Sequence, residues 1–133
     1  MNYLLDTNVC IRYLQGRLPC IRDAIHIRSP EQMFICAIVR AELFFGAMKS
    51  NYHAETLAIQ RQFIDQFPTL PFDDKAALLF GKIRADLQRQ GQPIGPYDLQ
   101  IAAIALANDL TLVTHNTREF SRVNGLRLAD WEV

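Results

Sequence analysis

The sequence predicts an α/β domain, a three-layer α/β/α sandwich around a central parallel sheet. Three observations carry that expectation. Short apolar runs at residues 3–5, 33–35 and 110–114 look like strands and are separated by stretches with helical spacing. The runs show no apolar/polar alternation, which suits a sheet covered on both faces. Strands and helices also take turns along the chain, the pattern that builds parallel sheets.

The first strand, 3–5, ends at Asp6-Thr7-Asn8, residue types that cap helices. The helix that follows carries Val9, Ile11, Tyr13 and Leu14 and stops near Gly16. Pro19 opens a second helix over 20–27, with Ile21, Ala24 and Ile25 as its apolar positions. A strand within 32–36 precedes a helix at 38–49. After Asn51 comes a long amphipathic stretch through Leu57, Ile59, Phe63, Ile64 and Phe67. Leu70-Pro71-Phe72 is a brief extended piece. Asp73 and Asp74 start another helix, and Gly95-Pro96 opens one running from Tyr97 to Asn108. Residues 110–114 are β-rich, and a last short strand is expected at 126–128.

A chain of 133 residues fits one domain, 1–133, with a continuous core. Half the residues are hydrophobic and 21% are charged, which excludes long disorder. No run approaches the roughly 20 apolar residues of a membrane span. The N-terminus is acidic at position 6 and has no basic segment, so no secretory signal is expected. Cys10, Cys20 and Cys36 are odd in number, lack zinc-ligand spacing and sit among apolar residues. All three are expected as buried free thiols in a reducing compartment, the cytoplasm. Zero formal net charge argues against a global basic field for nucleic acid, yet leaves room for a local basic rim around an acidic site. Arg12, Arg17, Arg84, Arg89, Arg118 and Arg122 suit such a rim, and equally suit solvated helix faces. His26 and His53 lack metal-ligand spacing and read as surface residues.

In a doubly wound sheet the ligand site lies beyond the carboxyl ends of the strands. Asp6 sits there, after Leu4 and Leu5, either as a functional carboxylate or as a plain helix cap. Thr7 and Asn8 accompany it. Asp98 falls in the first turn of the helix opened by Pro96, where the macrodipole favours a carboxylate by a few tenths to ~1 kcal/mol whatever its role. That helix is apolar nearly all round from Leu99 to Ala107, so its N-terminus is expected at a covered edge. Glu42 shares a helix face with Ile38, Val39, Phe45 and Gly46, and a charge on an apolar stripe needs a partner or a metal. Thr114 and Asn116 follow the 110–114 strand and offer neutral oxygens, as a plain turn and cap also would. Carboxylates brought together repel, and a hard divalent cation removes the conflict. Mg²⁺ needs only one or two of them, with waters and substrate phosphate oxygens.

Four segments in this order resemble the PIN-domain family, and within it the VapC-type toxins of bacterial type II toxin–antitoxin systems. They are Leu4-Leu5-Asp6-Thr7-Asn8, Arg40-Ala41-Glu42-Leu43 with Gly46, Gly95-Pro96-Tyr97-Asp98-Leu99-Gln100-Ile101-Ala102-Ala103, and Leu112-Val113-Thr114-His115-Asn116-Thr117-Arg118-Glu119-Phe120. The tail 123–131, ending in Asp130-Trp131, is similar to the family's closing strand. The resemblance implies a Mg²⁺- or Mn²⁺-dependent endoribonuclease that inhibits translation by cutting tRNA or another structured RNA, with a small antitoxin partner covering the site. It makes Asp6 and Asp98 the principal metal ligands and Glu42 a further acidic member. Asn116 stands where many relatives carry another Asp, which puts a second metal in doubt, and Glu119 is the nearest substitute. The expected chemistry is in-line attack of an activated water, leaving a 5′-phosphate and a 3′-hydroxyl. Apolar helices around Phe44, Phe45 and Phe63 are candidates for an antitoxin groove and a homodimer surface. Two rivals are weighed. A haloacid dehalogenase-type phosphatase needs Asp where Asn8 stands. A non-catalytic module of the same fold, binding RNA or protein, would be expected to lack one of Asp6, Glu42 and Asp98.

Overall fold

Tyr3–Leu5, strand β1, holds the middle of the sheet because it carries no charge: Leu4 and Leu5 are completely buried. The computed structural model describes residues 1–133. Four further strands complete a parallel sheet around it: β2 (Met33–Cys36) and β4 (Thr111–Val113) pair with β1, β3 (Thr69–Leu70) pairs with β2, and β5 (Leu128–Ala129) pairs with β4. The sheet order is β3-β2-β1-β4-β5. Tyr3 faces Met33 on one side and Thr111 on the other, and Leu5 faces Val113.

Helices flank the sheet, completing the expected α/β/α sandwich. They are α1 (Thr7–Gln15), α2 (Pro19–His26), α3 (Ala37–Lys49), α4 (His53–Ile64), α5 (Asp74–Arg89), α6 (Pro96–Ala107) and α7 (Thr117–Phe120). The punctuation works as the residue types dictate. Gly16 ends α1 in the left-handed region at φ 69°, which glycine adopts without a Cβ clash. Asp73 caps α5 by accepting from the Ala76 N–H. Pro96 begins α6, where its missing N–H is harmless. The α6 residues 101–105 are all buried, so this helix has no polar stripe. One cluster of 28 buried apolar residues joins the sheet to its helices. No helix is long and apolar enough to cross a membrane.

The structure departs from the sequence-based expectations in four places. The last strand is Leu128–Ala129, not 126–128, because its two residues are held by pairing with Leu112 and Val113. The α4 helix ends at Ile64, and Phe67 packs into the core beyond it. Phe63 is likewise core, stacked on Tyr13 at 4.2 Å between centroids and edge-on to Phe67 at 5.3 Å, and it borders a cavity shared with Tyr13, His26 and Arg28 rather than an exposed apolar groove with Phe44 and Phe45. Cys20 is exposed whereas Cys10 and Cys36 are buried. On α2 it is Ile21 and Ile25 that turn inward, and the residue before Ile21 is rotated off that face.

Candidate active site

The chain runs from β1 to β2 on one side and later returns to β4 on the other, so the order reverses between β1 and β4. Ligands in such sheets bind in the crevice beyond the carboxyl ends at that reversal. Asp6 directly follows β1, and Thr114 directly follows β4. The Asp6 N–H donates to the Val113 carbonyl at 3.0 Å, which brings the two strand ends together.

Asp6 is only 3% exposed. Its Oδ1 accepts from the Thr7 N–H at 2.8 Å, and its Oδ2 accepts from the Thr114 hydroxyl at 2.8 Å. Asp6 therefore is a helix cap, but capping uses only one of its oxygens. The Thr114 hydroxyl in turn accepts from the Asn116 N–H at 3.0 Å, so its proton is aimed at Asp6. Thr7 donates its hydroxyl to Glu42 Oε1 at 2.7 Å, tying α1 to α3. Asn116 Nδ2 donates to Glu119 Oε2 at 3.2 Å, which fixes the loop before α7.

The electrostatics gather the acids that the hydrogen bonds leave apart. Burial raises the pKa of Asp98 to about 6, and the negative charges of Asp6, Glu42 and Glu119 push it in the same direction. Burial also raises that of Asp6, against the Thr114 and Thr7 hydrogen bonds, and the charge of Glu42 adds to the rise. Cys36, the last residue of β2, is pushed up to about 11 by burial, against backbone hydrogen bonds from Val39 and Ile38, with the charges of Asp6 and Glu42 adding to the rise. It is held as an inert thiol. No Lys, Arg or His lies within ion-pair distance of Asp6, Glu42, Asp98 or Glu119. Four carboxylates share one sheet edge with no positive charge among them.

The expected residues are thus brought to one edge, with one exception. Asn8 is exposed on α1 and its side chain makes no hydrogen bond within the chain, so only its neighbours contribute. Glu42 differs from expectation in its surroundings. Val39 is buried, but Phe45 is 63% exposed and Gly46 is exposed too, so the stripe is the rim of a cleft. Ile38, Ala41, Glu42, Phe45 and Tyr97 line this cleft, whose volume is about 380 Å³. Tyr97 escaped the sequence reading. Its signal was an aromatic at the start of an otherwise apolar helix, next to Asp98. Of the six arginines considered for a rim, Arg12 and Arg89 pair with Glu132 and Asp86, and Arg122 donates to the Pro93 carbonyl.

The PIN domain family profile matches residues 3–126. Over 131 residues, 98% of each chain, the sequence is 40% identical to the tRNA(fMet)-specific endonuclease VapC of Shigella flexneri. It is 38% identical to ribonuclease VapC2 of Haemophilus influenzae over 98% of each chain. Among solved structures, the DNA-bound VapBC complex from Salmonella typhimurium superposes with a TM-score of 0.93 at 40% identity, covering 98% of both chains. Sheet order, acidic edge and whole-length similarity agree: the chain belongs to the PIN domain family, in its VapC branch.

Proposed function

We propose that this chain is a metal-dependent endoribonuclease, the toxin of a toxin–antitoxin pair, working as a single nuclease domain over residues 1–133 in the cytoplasm. The observation that carries the reading is the uncompensated acidic edge: burial, then the charges of Asp6, Glu42 and Glu119, raise the cost of ionisation at Asp98, and none of the four acids meets a cation of the chain. Dependence on a divalent metal follows from membership of the family. The donor set fits one, because carboxylate oxygens are the ligands that hard cations choose. We assign the ion as Mg²⁺, with Mn²⁺ as a working substitute, held by Asp6 and Asp98. When bound, it activates water and stabilises the leaving oxygen of a phosphodiester.

The chain's own residues orient and charge this site. Thr114 fixes the carboxylate plane of Asp6 through its 2.8 Å hydrogen bond. Thr7 holds Glu42 toward the same crevice, and Asn116 restrains Glu119. Glu42 is the further acidic member of the catalytic set. The amide of Asn116, in place of another carboxylate, lowers the negative charge available to a second ion and favours a one-ion site. The relatives described as tRNA(fMet)-specific endonucleases make tRNA the first substrate to try. Exposed apolar side chains on α3 and α4, Phe45, Met48 and Ile59, support docking of the antitoxin and of a second copy in a homodimer. Size-exclusion chromatography with light scattering, with and without the small protein encoded beside the chain, checks both; an unshifted monomer in both runs rejects them.

The decisive experiment incubates the protein with total RNA and with purified tRNA in Mg²⁺, beside an EDTA control and a folded Asp98→Asn variant. Cleavage at discrete sites is expected, lost in EDTA and lowered more than about 100-fold by the substitution, since a direct ligand outweighs a supporting one. Products should carry 5′-phosphates. Cleavage that persists in EDTA overturns the metal reading, and no cleavage of any RNA overturns the nuclease.

A further inference from the structure

A second cluster of ligand-type side chains lies outside the acidic edge. His115, Asp130 and Glu132 bring one ligand atom each to within 4.8 Å of the others. His115 is on the loop after β4, and the two acids are in the tail after β5. The His115 Nδ1 atom is 3.0 Å from Asp130 Oδ2 and 3.9 Å from Glu132 Oε2.

Each acid uses one oxygen to hold its position and turns the other inward. Asp130 Oδ1 accepts from the Glu132 N–H at 2.9 Å, leaving Oδ2 toward His115. Glu132 Oε1 faces Arg12 Nη1 at 3.4 Å. Glu132 Oε2 faces the cluster, is fully buried and accepts no hydrogen bond, on a side chain only 7% exposed. A buried carboxylate oxygen without a donor is costly, and a native fold keeps such a group where an ion or a reaction uses it. The cluster is therefore built like a metal site whose ligands are already oriented by partners of their own.

We propose that His115 Nδ1, Asp130 Oδ2 and Glu132 Oε2 form a zinc site distinct from the acidic edge. Two ligands each about 2.1 Å from a common ion sit roughly 3.0–3.4 Å apart at right-angled and tetrahedral angles. The 3.0 Å span already matches; the 3.9 Å span and the Asp130–Glu132 span, within 4.8 Å, require Glu132 Oε2 to move inward when the ion binds. An imidazole nitrogen with two carboxylates selects a borderline ion such as Zn²⁺, whereas the all-carboxylate edge suits Mg²⁺, so donor chemistry sorts the two ions. Zinc here joins the tail to the loop that presents Thr114 and Asn116, and acts as a clip on that loop. This inference does not depend on the nuclease reading, because it concerns binding and not turnover.

The test uses the full chain carrying Asp98→Asn, so that the acidic edge is impaired, with Mg²⁺ in millimolar excess. Zn²⁺ is titrated by calorimetry while ¹⁵N NMR follows the His115 ring. One Zn²⁺ per chain is expected, with a ligation shift at Nδ1 and a higher melting temperature. The His115 side chain is 54% exposed, so His115→Ala is expected to keep the fold and should weaken zinc about 100-fold; Glu132→Gln should act in the same direction. Zinc binding unchanged by His115→Ala overturns the proposal, as does failure to bind Zn²⁺ at all.

Discussion

Several acidic side chains at the surface of this molecule and those at its sheet edge are treated in opposite ways. Asp65, after α4, lies 2.9 Å from Arg40 and 3.8 Å from Arg61. Asp86 meets Arg89 at 2.6 Å, and Asp109 meets Arg127 at 3.0 Å. These acids are at the surface, where water would solvate them anyway and a pair adds little. Asp6 is almost wholly buried, Asp98 is partly so, and neither has a basic partner. A fold built for stability alone would place its arginines the other way round. The chain instead pairs several charges that need no help and withholds cations from the edge carboxylates that do. The difference teaches that the edge is shaped for a charge brought from outside, and that the folded state bears a cost until it arrives.

The largest break in this comparison comes from removing the group that aims Asp6. Thr114→Val keeps the side-chain shape but leaves Asp6 Oδ2 without its donor and the Asn116 N–H without its acceptor. Metal affinity and RNA cleavage should both fall about 10- to 100-fold, the range for a supporting residue behind a ligand. Unfolding free energy should drop by about 1–3 kcal/mol, because both groups are in buried surroundings. Thr114→Ser retains the hydroxyl and should recover most of both. Isothermal titration with Mg²⁺ and a urea melt check the pair of effects. Equal behaviour of the Val and Ser variants would show that Thr114 only packs.

How much of this was legible beforehand divides along physical lines. Asp6, Thr114 and Asp98 could be placed because strand ends and the start of an apolar helix are one-dimensional signals, and the parallel-sheet rule puts them at one edge. The hydrogen bonds that orient them could not, since Thr114 reaches Asp6 across 108 positions and Thr7 reaches Glu42 across 35. The apolar spacing around Glu42 suggested a buried stripe, but a cleft rim has the same spacing; only tertiary packing shows that Phe45 stands in the open. Cys20 misled for a related reason. Its sequence neighbours are apolar, yet helix phase and not neighbour identity decides which residue faces in. The two-residue strand β5 was misplaced because its partner's ladder, not its own propensity, sets its position.

A smaller effect sharpens the comparison by separating stability from function. Asp98 titrates near 6 in the folded chain through burial and the neighbouring carboxylates, above its ordinary value of 3.8. The folded state therefore holds a proton that the unfolded state has released between about pH 4 and pH 6, and stability falls as pH rises through that window. Above it the cost is complete. Asp98→Asn should accordingly stabilise the metal-free protein at neutral pH by about 1–2 kcal/mol, after allowing for solvent screening of a partly exposed group. The gain should shrink below pH 6 and vanish below about pH 4, where the native side chain is neutral in both states. Saturating Mg²⁺ should reverse the order, because only the parent gains binding free energy. Melts in EDTA and in Mg²⁺ across pH read all of this, and an Asp98→Asn variant less stable than the parent in EDTA would contradict the uncompensated edge.

The smallest expected effect tests the other half of the comparison. Asp65→Asn removes a carboxylate from two arginines at the surface, where Asp65 is 49%, Arg61 48% and Arg40 18% exposed. Such pairs contribute about 0–1 kcal/mol, and salt screens them further. The melting temperature should move little, the shift should fade in high salt, and RNA cleavage should stay at the parental level. Arg40 keeps another place to go, since its guanidinium already lies over the Phe44 ring at 5.3 Å and reaches Thr69 Oγ1 at 3.5 Å. A loss of cleavage in this variant would mean that charge balance is set across the whole surface and not at the edge. The contrast between paired and unpaired acids would then lose its functional meaning.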